Sequence, residues 1–304
     1  MKRFAFLSAL ILFIVLPNIQ FAKDKNTPSN YSYDPYYENG HTKKHNYGKY
    51  RIRERSEDSP NFSLDAWTGL YTSYLWRNVV KNNDPVNELG FALMASDYTF
   101  KINTLTDLTN YGVGVGYGDQ SFEFTEIDIS LLYENHWNDL LYSIELKHYL
   151  FPNKFTPILA TGRFSNESTS ELNFLFGYNV VASPSLLISY DLDEIGGLYI
   201  EIGVSHSISL EMLGYKTRAN FSGALSIGSA EFNKYNYGVD SFAPSGLSII
   251  ANWEWMMNSF WIVKPEIGVS VPIDADITDA IEANTNVQSS AVTFYFAVKM
   301  MVTF

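Results

Sequence analysis

Of the five histidines only His148, near the expected outer rim, lies where a hydrolytic Ser–His pair could meet outer-leaflet lipid. His148 and His206 fall on the apolar side of alternating segments, and Ser168 and Ser170 follow His148 across a long connection. A serine hydroxyl beside an imidazole is the minimum for nucleophilic attack on an ester, and it also requires a third group to orient the base. No motif supplies that group. His41 and His45 belong to a polar N-terminal segment and His136 to an expected turn. Lipid hydrolysis is therefore the second alternative, and no catalytic residue is assigned.

Other chemistries fall away faster. The chain has no cysteine, which excludes thiolate catalysis and thiolate metal centres. Asp274, Asp276 and Asp279 present carboxylates at close spacing, yet the glycine and terminal glutamate of a calcium-binding loop are missing, and a solvated acidic loop is expected there. Gly112, Gly114, Gly116 and Gly118 imitate a nucleotide-binding loop, but a β-periodic segment follows instead of a helix. No cofactor is expected. From Pro60 onward there are 27 Asp and Glu against 11 Lys and Arg, a balance of −16 that disfavours nucleic acid.

What remains is a set of charges on one parity. Alternation places Asp65, Glu88, Asp107, Glu126, Asp128, Glu134, Glu145, Glu171, Asp191, Glu201, Glu254 and Glu266 on a single face, with Lys101, Lys147, Lys216, Arg218, Lys264 and Lys299. Adjacent antiparallel segments would bring Glu126 and Asp128 close to Glu145 and Lys147, and Glu254 close to Lys264 and Glu266. If that face lines a lumen, the acidic excess favours cations over anions. The competing reading is a structural one, in which paired charges brace a filled interior.

The elements that must carry these charges are strands. In Glu123–Tyr133, Thr125, Ile127, Ile129, Leu131 and Tyr133 alternate with Glu126, Asp128 and Ser130. Segments of about ten residues, apolar on one face and polar on the other, mark transmembrane strands. The expected set is Phe62–Leu75, Val86–Ala95, Tyr98–Leu108, Phe122–Glu134, Asp139–Leu150, Ser170–Ala182, Ser185–Leu192, Gly197–Leu210, Lys216–Gly228, Gly246–Met257, Phe260–Val271 and Ser290–Phe304. Even-numbered connections are short and odd-numbered ones long, except the seventh, Asp193–Gly196. Short periplasmic turns and long outer loops produce this rhythm, which a soluble sandwich has no reason to show. Trp253, Trp255 and Trp261 cluster at one short turn, as an interfacial aromatic girdle requires. The fold class expected is all-β, an antiparallel transmembrane barrel of about twelve strands.

The two ends of the chain agree with export. Lys2 and Arg3 precede a 13-residue apolar run, Phe4–Leu16, too short for a spanning helix and suited to a signal peptide over 1–22. Residues 23–60 are polar and aperiodic, which predicts a disordered extension with a basic run over 43–55. Residues 61–304 are left for the barrel. Its last segment sets Phe296, Val298, Met300, Val302 and Phe304 on one apolar face that ends on the final residue, a pattern expected of a C-terminal signal for the barrel-assembly machinery.

The segments "SLDAWTGLYTSYLWRNVV" (Ser63–Val80) and "FTEIDISLLYE" (Phe124–Glu134) resemble the TorF-like porin family of bacterial outer-membrane barrels. That resemblance implies an outer-membrane channel without an assigned substrate. Asn78 stands where the family pattern has glycine. Together these readings predict a passive channel for small hydrophilic solutes, weakly selective for cations, in contact with outer-membrane lipid and with both termini periplasmic. A non-conducting binding or structural barrel is the alternative.

Overall fold

The computed structural model describes residues 62–304, apart from 83, 109–123, 153–155, 158–163, 166–167, 213–214, 258–259 and 284–290. The expected signal peptide, the extension with its basic run, and the four-glycine segment lie outside the described residues.

Twelve strands close into one antiparallel barrel. In chain order they are β1 (Phe62–Tyr71), β4 (Val86–Ala95), β5 (Tyr98–Asp107), β6 (Phe124–Trp137), β7 (Leu140–Leu150), β10 (Thr169–Tyr178), β11 (Ser185–Asp191), β12 (Leu198–Met212), β13 (Tyr215–Gly228), β14 (Ala243–Met256), β15 (Trp261–Val271) and β16 (Thr293–Thr303). Each pairs with its predecessor in the wall, and β16 closes on β1 through pairs such as Ala66 with Val302. The remaining short strands, β2 (Tyr74–Trp76) with β3 (Val79–Asn82) and β8 (Thr156–Pro157) with β9 (Phe164–Ser165), form hairpins in two connections.

The wall is turned inside out relative to a soluble sandwich. Large apolar side chains stand exposed on its outer surface, among them Leu70, Phe91, Ile249, Ile267 and Phe294, the last 72% exposed. Polar and charged side chains are buried within, including Glu126, Asp128, Glu171 and Glu254. Only hydrocarbon outside makes that distribution favourable, because an exposed apolar surface of this extent would drive association in water. Closure also leaves no strand edge with unpaired backbone groups, which a bilayer would not tolerate. The fold is an outer-membrane-type barrel.

One rim carries the start of β1, the end of β16 and the tight turns, with Ser96, Asn138 and Ser183 in the left-handed region (φ 53°, 53° and 32°). The opposite rim carries the long connections. The short seventh connection, also on that rim, has a local cause. Asp191 Oδ1 accepts the backbone N–H groups of Asp193, Ile195 and Gly196 at 3.1, 2.9 and 3.2 Å, a clamp that folds the chain straight back into β12.

Three expectations need correction. The first strand ends at Tyr71, not Leu75, because the chain turns inward there and forms a separate hairpin. His136 belongs to β6, paired with Leu141, so the turn is only Asn138–Asp139. The acidic loop holds a helix, α2 (Ala275–Ala283), and another connection holds α1 (Ala230–Tyr237). Asp274 caps α2, its Oδ1 accepting Ile277 N–H at 3.1 Å, and the Ser229 hydroxyl caps α1 by accepting Phe232 N–H at 3.4 Å.

Candidate functional site: a lumen crossed by a hairpin

The β2–β3 hairpin is built by Trp76-Arg77-Asn78-Val79, a two-residue turn with Arg77 at φ 54° and Asn78 at φ 63°. Such turns favour asparagine or glycine at their centre because both residues need positive φ, so the arginine is the costly choice. Its side chain explains the choice. Arg77 Nη2 pairs with Glu171 Oε1 on β10 and donates to Asn173 Oδ1 at 3.2 Å. The guanidinium lies 4.6 Å from the Trp76 ring centre and 4.7 Å from that of Tyr199. Asn78 donates to Ser226 Oγ on β13 at 2.6 Å and accepts from Ser270 Oγ on β15 at 2.8 Å. A hairpin rooted between β1 and β4 therefore reaches strands on the far side of the bore.

Helices pack at the same end. Val79, Tyr199, Phe232, Tyr237, Ala243 and Ile277 form a small apolar core, with Trp76 and Ile281 packed on it. Asn233 of α1 is fully buried and its amide donates to Gly228 O, Ser241 O and Ala243 O at 3.1, 2.8 and 3.4 Å. Packing, rather than charge, holds this cap, because its ion pair Lys234–Asp240 (2.6 Å) is exposed and worth little. Backbone and Ser229 hydrogen bonds hold the Glu231 carboxyl below its usual range, and Asp240 holds the Lys234 ammonium above its own.

Of the inner-face charges expected from parity, Glu126, Asp128, Glu171, Asp191, Arg218, Glu254 and Glu266 are buried in the wall, and most of those described are paired. Lys147 Nζ is 2.8 Å from Asp128 and 4.4 Å from the Tyr149 ring centre. Lys101 lies 3.6 Å from Glu145, which also accepts from Asn173 at 3.3 Å. Arg218 faces Glu254 at 3.8 Å, Lys264 faces Glu266 at 3.8 Å, and Lys299 lies 4.0 Å from Glu88. Glu201 accepts from the Tyr199 hydroxyl at 3.0 Å. Glu126 is buried on β6 two residues before Asp128. Glu171, expected as one wall charge among many, is instead the anchor of the hairpin. Sequence reasoning missed Arg77 and Asn78, because they fall beyond the expected strand end at Leu75, in a connection with no pattern of its own.

The wall from β10 to β14 is different. Gly177, Ser185, Gly203, Ser205, Ser222, Ala224 and Ser248 line a small pocket. Elsewhere on the wall, Trp67 and Tyr71 donate to Glu88, and Tyr295 donates to Glu266.

The outward pair is also found. His148 Nδ1 and Ser170 Oγ are 2.9 Å apart, opposite each other in the β7–β10 register. Ser170, not Ser168, is the hydroxyl brought to the imidazole. It is only 4% exposed, so it is closed to a bulky ester, and the contact reads as two polar groups satisfying each other on an apolar wall. His206 bonds the Val181 carbonyl at 2.7 Å. Among the described residues no group of three or more acidic or histidine side chains is placed to hold a metal ion, and Asp274 is occupied as a helix cap.

The chain resembles solved porins. The NanC porin shares 8% identity over 79% of this chain and 98% of its own, with a TM-score of 0.47. The KdgM porin shares 10% over 80% and 99%, with a score of 0.42. An outer membrane channel from Pseudomonas putida F1 shares 8% over 82% and 97%, with a score of 0.39. The barrel assignment stands on the closed strand pairing. No protein-family model matches the sequence, and no curated protein matches it at a significant level.

Proposed function

We propose that the protein is a passive channel of the bacterial outer membrane for small hydrophilic solutes, narrowed by its own hairpin and weakly selective for cations. The observation that carries the proposal is the charged and hydroxyl-lined interior of a closed twelve-strand wall. Of the eleven charges read as pore-lining, Glu126, Asp128, Glu145, Glu171, Glu201, Glu254 and Glu266 outnumber Lys147, Arg218, Lys264 and Lys299. A surplus of carboxylates along a narrow water path lowers the energy of a passing cation more than that of an anion. The likeness of Ser63–Val80 and Phe124–Glu134 to the TorF-like porins supports the same reading. In it the termini face the periplasm, the outer wall meets lipid, and the apolar face ending at Phe304 is read by the assembly machinery.

Purified protein in a planar bilayer tests the channel. Discrete conductance steps are expected, with a reversal potential of cationic sign in a salt gradient. A second reading, a non-conducting binding or structural barrel, is favoured by the hairpin contacts that span the bore. Well-folded protein that gives no steps would select it.

A further inference from the structure

We infer that the inner wall at Glu171, Asn173 and Tyr199 is a binding site for guanidinium-bearing solutes, occupied at rest by the chain's own Arg77. The inference deepens the channel reading and rests on it for its physiological use.

The site is built into the wall. The Glu171 carboxylate is 1% exposed, far too buried to stand without a cation. Lys147, its partner across the β7–β10 register, is bonded to Asp128 at 2.8 Å instead. Glu171 receives its positive charge from a loop residue 94 positions away in sequence. Asn173 adds an acceptor, and the fully buried Tyr199 ring gives the guanidinium a flat surface to stack on. All three belong to the barrel and would stay in place if the hairpin withdrew.

Arg77 uses this site incompletely. It reaches Glu171 through Nη2 and Oε1, and Oε2 is buried with no hydrogen-bond partner among the described residues. A free guanidinium carries two parallel N–H groups that match both oxygens of a carboxylate, which the tethered one does not exploit. Arg77 also holds a positive φ, a conformation disfavoured for a long side chain. A mobile solute pays neither penalty. It competes with a tethered group whose effective concentration is on the order of millimolar, so displacement from the intact protein needs solute in that range. An ammonium ion has no fork and stacks less well, so the site discriminates against alkylamines.

Methylguanidinium and methylammonium at matched ionic strength are the probes, followed by calorimetry and tryptophan fluorescence of the detergent-solubilised full barrel. Arg77→Ala should bind methylguanidinium about tenfold more tightly than the wild type does and prefer it about tenfold over methylammonium. Arg77→Ala with Glu171→Gln should bind neither. Folding is checked by heat-modifiable electrophoretic mobility. Should Arg77→Ala not fold, Arg77→Lys, which leaves a weaker internal ligand, is expected to bind methylguanidinium more tightly than the wild type. Absence of binding to the folded variant, or equal binding of the two probes, overturns the site. Conductance is read separately. Binding without any conductance would sink the channel reading and leave the site intact, whereas conductance without binding would do the reverse.

Discussion

The Trp67 ring covers Gly90, its directly opposed partner on the neighbouring strand, so closely that a β-carbon there would fall 2.1 Å from the ring. The same relationship recurs between Tyr295 and Gly268, at 2.2 Å. Both rings face the lumen and both hold acids, Trp67 donating to Glu88 at 3.0 Å and Tyr295 to Glu266 at 3.1 Å. Each glycine makes room for an aromatic side chain that in turn positions a carboxylate.

Gly90→Ala should therefore destabilise the barrel. The added methyl must displace Trp67 and break its bond to Glu88, at a cost of about 1–3 kcal/mol. The measurement is the temperature at which the folded band converts to the unfolded one on gels. An unchanged midpoint would mean that the ring moves aside freely.

Charge on one arc should govern selectivity. Replacing Glu126 and Glu145 by glutamine and Asp128 by asparagine removes three carboxylates and releases Lys101 and Lys147 from their partners. The reversal potential in a salt gradient should move toward anions. No movement would show that ions pass elsewhere, and the arc would then be a brace only.

The outward histidine should act on stability and not on lipid. His148→Ala and Ser170→Ala should each destabilise by roughly 1–3 kcal/mol, because each leaves a partner unsatisfied on an apolar wall. His148→Leu combined with Ser170→Ala should cost less than the sum of the single changes. Phospholipid turnover that is present in the wild type and lost in His148→Ala would reverse this reading.

Phe304 should matter more in cells than in detergent. Phe304 N–H donates to Leu64 O at 2.8 Å, and Leu64 N–H donates to Phe304 O at 3.3 Å, so deleting Phe304 removes two bonds from the closing seam. A mere seam defect lowers refolded and cellular yields alike. A recognition role predicts a larger loss from the outer-membrane fraction than from refolding in vitro, and equal losses would exclude that role.

The sequence by itself determined the wall. A period of two is a local property, so Val86–Ala95 and Ser185–Leu192 could be bounded to within a residue, and the inward parity of Glu126, Lys147, Glu254 and Lys299 followed without any tertiary information. The path of the connections was decided only in three dimensions. Tyr74 and Leu75 fall within the expected first strand and Trp76–Asn82 in the connection after it, and nothing local tells the chain to fold this segment across the bore. That choice depends on Glu171, Ser226 and Ser270, between 94 and 192 residues further on. The two helices escaped notice for a related reason. At eight and nine residues they span about two turns, too short for a helical period to emerge from a polar loop, and they exist because Phe232 and Ile277 find a core made by other segments.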